Sequence, residues 1–144
     1  MSIATRFTMT FAAVAGLAFS TAEAGQSMAA AEIEETFRGI TLDGVYNDGS
    51  FFSETYFDDG SIRYHDAFGA DSGDWWVRGD MFCTFYEMQQ GSCFFVVREG
   101  DNCFTFFEPE RGPGGEIVPR ESWTSRGWNR EDDATCVRPP EAVI

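Results

Sequence analysis

Four cysteines, a single histidine and a large surplus of acids are the side chains through which this 144-residue sequence could do chemistry. Cys83, Cys93, Cys103 and Cys136 are separated by nine, nine and 32 residues, with no C-x2-C pair among them. Zinc sites draw ligands in close pairs, because two donors from one tight turn fix half of the tetrahedron. The spacing therefore points away from a metal and towards disulfides, which oxidising compartments allow. His65, beside Asp66, could serve as a general base if a reacting group lay within hydrogen-bond reach. Strand alternation puts it on a wet face instead, where a solvated residue is the simpler expectation.

The acids form no recognisable catalytic pattern. Asp58-Asp59-Gly60 and Asp71-Ser72-Gly73-Asp74 carry oxygen donors that calcium could use, but neither has the alternating ligands and distant glutamate of an EF-hand loop. Both read as β-turns. In "GADSG" two residues stand between Gly69 and Ser72 where a nucleophile elbow has one, and no phosphate-cradling glycine loop is present. No catalytic residue, metal or cofactor is expected. Trp75, Trp76 and His65 remain as candidate contacts for a ligand or partner.

Charge narrows the partners. Ten basic residues, none of them lysine, face 24 acids for a net charge of −14. Nucleic acid and anionic lipid would be repelled. A cationic protein could be attracted, and the same charge keeps a domain soluble.

The elements that must hold these residues begin after a leader. Arg6, the apolar run Phe7 to Phe19 and Ala22-Glu23-Ala24 match a secretory signal cut before Gly25. That run of 13 residues is short of the roughly 20 needed to span a bilayer. The expected mature chain is about 120 residues, one domain without a membrane span, periplasmic or secreted. A short helix is expected within residues 25–38, with Ser27 as cap, Ala30, Ile33 and Phe37 as apolar stripe and Gly39 as stop.

From Ile40 the period becomes alternating, with Gly-, Asn- and Asp-rich turns every eight to twelve residues. Expected strands are 40–46, 51–57, 61–68, 75–78, 81–87, 93–98 and 103–107, joined too tightly for parallel pairing. The fold class is mainly β: an antiparallel meander of seven or eight short strands over residues 39–107, closed into a small barrel or flattened sandwich. Twelve phenylalanines remain after the leader, enough to fill its interior. Residues 108–144 read as a mostly irregular tail packed on the β-domain, anchored by Trp123, Trp128 and Cys136, with a further strand near 122–126.

Within "GDWWVRGDMFCTFYEMQQGSC", residues 73–93, Trp75 and Trp76 should point to opposite faces. A Cys83–Cys93 bridge needs residue 83 opposite residue 93 and thus a wide turn, whereas a tight turn at 88–91 would place Cys93 opposite Tyr86. Cys103–Cys136 would then tie the tail to the last strand.

The segments "EIEETFRG", "YFDDGSI", "GDWWVRGDMFC" and "CFF" resemble a family of small exported alphaproteobacterial proteins of unknown function. The resemblance, over roughly residues 32–107, implies export and a β-rich fold and brings no catalytic residues. Cys103, Cys136 and the long tail depart from its pattern. The function expected is therefore binding or an envelope-associated role, without catalysis. Alternatives are an acidic decoy or inhibitor of a cationic protein such as lysozyme, and a lipocalin-like barrel for a small apolar ligand.

Overall fold

The computed structural model describes residues 26–136. The expected leader, residues 1–24, lies outside them, as do the last eight residues of the tail. A helix, α1 (Ala30–Phe37), precedes strands β1 (Thr41–Tyr46), β2 (Phe51–Tyr56), β3 (Ser61–Asp66), β4 (Ala70–Arg78), β5 (Met81–Tyr86), β6 (Cys93–Arg98) and β7 (Phe104–Phe107). A small hairpin of β8 (Pro109–Arg111) and β9 (Ile117–Pro119) follows, then β10 (Ser125–Asn129). Strands β1 to β7 form an antiparallel meander, and β10 enters between β7 and β1 to close an eight-stranded barrel.

Local chemistry sets the hairpins. Asp48 and Asp59 act alike: each carboxylate accepts from the backbone N–H, at 2.9 Å, and the hydroxyl of the serine two residues on. Gly49 and Gly60 follow at φ +88°, a conformation costly for any residue with a Cβ. The third turn departs from expectation. Asp66 Oδ1 accepts from Phe68 N and Gly69 N, so the chain reverses by Gly69, and residues 70–74, expected as loop, begin β4. Phe68, expected as the last residue of a strand, sits at that turn, 95% exposed.

The helix stops one end of the barrel. Ile33 and Phe37 are completely buried, and the Phe37 ring meets Tyr56, Phe82, Phe104 and Phe106 at centroid distances of 5.1–5.9 Å. Leu42, Ile62, Trp75 and Val96 complete this apolar layer, each buried side chain contributing roughly 1.5–3 kcal/mol. Ser27 does not cap the helix. It pairs with Val97, Met28 N donates to Val96 O at 2.8 Å, and Asp80 Oδ1 accepts from Ala30 N at 2.9 Å instead. The terminal segment is drawn off because β6 leaves that edge open: the β5–β6 ladder contains only Phe82–Phe94 and Cys83–Cys93.

The described part of the tail, residues 108–136, is mostly turn and irregular chain outside the β8–β9 hairpin and one further strand. Its strand runs from Ser125 to Asn129, paired with β1 over five positions, and it is the stave that completes the barrel. At that seam Gly44 faces Gly127. A Cβ on Gly44 would lie 2.3 Å from the Phe52 ring and one on Gly127 2.5 Å from Leu42, so two inward-facing rows are left bare for those side chains to fill. Cys103–Cys136 and the buried Asn102 hold the chain beyond the seam. Asn102 Oδ1 accepts from Asn129 N at 2.8 Å, and its Nδ2 donates to Asn129 O at 3.0 Å and Asp132 O at 3.2 Å.

Candidate binding site at the barrel mouth

Opposite the helix the barrel stays open, and the cause lies in β5 and β6. Thr84 N still reaches Ser92 O at 2.9 Å, after which the strands separate. The 87–92 loop is held by β4 instead: Glu87 N donates to Ser72 O, and Met88 N to Asp71 Oδ2 at 3.1 Å. Gly91 permits the crossing, since a Cβ there would lie 1.9 Å from Thr84 O. This is the wide turn that the Cys83–Cys93 pairing requires, and that disulfide is formed.

The separation exposes a cavity of about 190 Å³. Phe52, Phe82, Phe94 and Phe106 supply its aromatic walls, Thr84, Ser125 and Gln89 hydroxyl and amide groups, and Tyr46, Tyr86 and Glu54 its polar interior. All four tyrosines of the chain face into the barrel. Tyr56 Oη donates to Glu54 Oε2 at 2.5 Å and Tyr86 Oη donates to Oε1. A second relay runs from Tyr46 Oη to Tyr64 Oη at 3.3 Å and from there to Asp66 Oδ2 at 2.9 Å.

Glu54 is only 7% exposed, and among the described residues no arginine or histidine lines the cavity. Burial raises its pKa above the ordinary glutamate range, and the two tyrosine hydrogen bonds oppose that only in part. Tyr56 and Tyr86 are pushed up in turn, first by burial and then by the adjoining Glu54 charge. Tyr46 rises mainly through burial. Asp66, half-buried and receiving Phe68 N–H and Tyr64 O–H, is lowered. The mouth thus offers aromatic faces and hydrogen-bond acceptors around one desolvated carboxyl.

The residues singled out from the sequence do not converge here. Trp75 is buried at the helix end, its Nε1 donating to Phe57 O at 3.1 Å and the Arg38 guanidinium lying over its ring. Trp76 is on the outer face opposite Cys83, 43% exposed. His65 is exposed on the outer face of β3. Glu54, Tyr46 and Tyr86, which do converge, were not marked. A signal existed in "FFSETYF", where Glu54 shares its parity with Phe52 and Tyr56 and so must point inward. A larger hollow of about 320 Å³ lies outside β3–β5 between Phe57, Arg63, Asp74 and Phe85, but none of the buried polar side chains lines it.

Among the described residues no three His, Cys, Asp or Glu side chains gather to hold a metal ion, and no helix is long and apolar enough to cross a membrane. Fold and site define a disulfide-bonded, closed eight-stranded β-barrel, stopped at one end and open at the other. No family model, curated protein or solved structure matches the chain.

Proposed function

We propose that this chain is a non-enzymatic binding protein of an oxidising, extracytoplasmic compartment, and that its ligand enters the open end of the barrel. The observation that carries the reading is the asymmetry of the two ends. Ile33 and Phe37 seal one, whereas the other holds a cavity whose walls are aromatic and whose depth holds a buried carboxyl. Two disulfides fit an oxidising compartment. The residues 1–24 leader would deliver the chain to the periplasm or beyond.

Volume argues against a chamber for a fatty acid or haem. About 190 Å³ is below the roughly 300–1,000 Å³ of sites that enclose drug-sized ligands. The occupant is a small molecule, or one side chain of a larger one. Rim residues Phe68, Met88 and Phe51, exposed by 95%, 84% and 69%, favour a second reading in which a cationic protein covers the mouth of this −14 chain.

The test is a small-fragment screen by ligand-observed NMR, with binding mapped on labelled protein and repeated on Thr124→Trp, which places a bulky side chain at the cavity entrance. Binding that perturbs Thr84, Gln89 and Ser125 and disappears in the variant is expected. Ligands that map to Trp76 and His65 and survive the substitution would move the site to the outer wall.

A further inference from the structure

We infer that the mouth cavity recognises an organic cation, an alkylammonium group on a short stem, with the Glu54 carboxylate as its counter-ion. This deepens the mouth-binding reading and rests on it. Each class of small ligand meets a different response from the lining. An anion meets Glu54 and Glu108 and no positive side chain among the residues around the cavity. A purely apolar molecule would strip the remaining water from Glu54 without replacing it, which is unfavourable for a buried acid.

A metal ion finds a single deep carboxyl, and among the described residues no three His, Cys, Asp or Glu side chains gather to hold it. An ammonium meets acceptors almost everywhere. The carboxylate oxygens keep lone pairs beyond those used by Tyr56 and Tyr86, the Thr84 and Ser125 hydroxyls and the Gln89 amide oxygen can accept, and the Phe52 and Phe94 faces attract positive charge.

Glu54 is itself the independent sign of a ligand. It is more than nine-tenths buried, it lines a cavity, and among the described residues it has no cationic partner. The acids whose role is to hold strands together are arranged otherwise: Asp43 is paired by Arg130 and Glu99 by Arg126. A carboxyl retained at an inward position costs stability unless something positive reaches it. Within the cavity none of the described residues does.

The experiment titrates oxidised, isotope-labelled protein with n-butylammonium chloride and separately with n-butanol, its neutral isostere, at constant ionic strength. A short peptide bearing one lysine forms a third arm. The expected result is saturable shifts at Glu54, Thr84, Tyr86 and Gln89 with the ammonium and at least tenfold weaker binding of the alcohol. Glu54→Gln should weaken the ammonium at least tenfold. Asp43→Asn, which removes one negative charge from the outer wall, should leave the binding unchanged.

Tighter binding of the peptide than of the free amine, lost in Phe68→Ser and Met88→Ser, would identify the source as a lysine on a protein. The reverse order would identify a free amine. Equal binding of n-butanol, ammonium binding that survives Glu54→Gln, no saturable binding in any arm, or shifts spread over the surface overturns the cation assignment. Butanol bound in the mouth would still leave the mouth as the site. Ammonium shifts that persist in Thr124→Trp would remove the mouth as well.

Discussion

The two ends of this barrel are built from the same strands and differ in what the strands bring to the axis. At the helix end the inward residues are Leu42, Tyr56, Ile62, Trp75, Phe82, Val96 and Phe104, closed over by Ile33 and Phe37. Two to four residues further along β1, β2, β3 and β5 the inward set becomes Tyr46, Glu54, Tyr64, Thr84 and Tyr86, with Ser125 beside them on β10. One end buries apolar area and accounts for stability. The other leaves a titratable carboxyl in a partly filled space, the kind of local conflict that folds tolerate where they bind something.

If that division is right, the largest losses follow damage to the closed end. Phe37→Ala removes a completely buried ring from among Tyr56, Phe82, Phe104 and Phe106, and should lower unfolding free energy by about 3–5 kcal/mol in urea titrations. Phe68→Ala at the mouth should change it by less than about 0.5 kcal/mol.

The disulfides sharpen the comparison. Cys103–Cys136 spans 33 residues and Cys83–Cys93 spans ten, so loop-closure entropy assigns them about 4 and about 3 kcal/mol respectively. Paired Cys→Ser variants should rank in that order. The 103–136 pair should also loosen β10 and the barrel seam, seen as faster hydrogen exchange at Gly127 and Arg126, and the 83–93 pair should loosen the mouth.

Much of the closed end was legible in the sequence because period alone determines it. Ile33 and Phe37 lie one helical turn apart, and Ile62 alternates with Ser61 and Arg63. The open end was less legible. Asp71, Ser72, Gly73 and Asp74 have poor strand propensity and read as a loop, yet β3 and β5 on either side supply partners that override it.

The closing strand was obscured in the same way, because "SRGWN" has little apolar alternation and follows a Pro- and Gly-rich stretch. Its place depends on distant residues, among them Gly44 and Asn102. Glu54 was visible by parity alone. That its surroundings contain no cation depends on five other strands.

Glu54→Gln should affect stability less than either Phe37→Ala or loss of a disulfide, and with a definite pH dependence. Burial raises the folded-state pKa of Glu54 above its unfolded value of about 4.5. The stability that follows is therefore complete below that unfolded value and is lost as pH rises through the higher folded one. Glutamine keeps the side-chain oxygen and does not ionise. Relative to Glu54→Gln, the natural protein should be more stable at pH 4 than at pH 8, read as the difference between two denaturation curves at each pH.

Asp43 gives a small effect of the opposite sign, although it lies on the strand next to Glu54. It faces outward, where Arg130 Nε donates to Oδ2 at 3.0 Å and Arg130 Nη2 to Oδ1 at 2.6 Å, with Ser53 Oγ donating at 2.9 Å. The Arg130 hydrogen bond is the main reason its pKa is lowered from 3.8. Its stabilisation is thus present above the unfolded value and lost as pH falls through the folded one. Half of the Arg130 side chain is exposed, so solvent screening limits the pair to less than about 1 kcal/mol. Asp43→Asn should cost up to that much at pH 7 and progressively less as pH falls through the lowered folded-state pKa. Neighbouring acids of opposite pH response would show that what separates them is the side of the barrel wall on which a cation is already supplied.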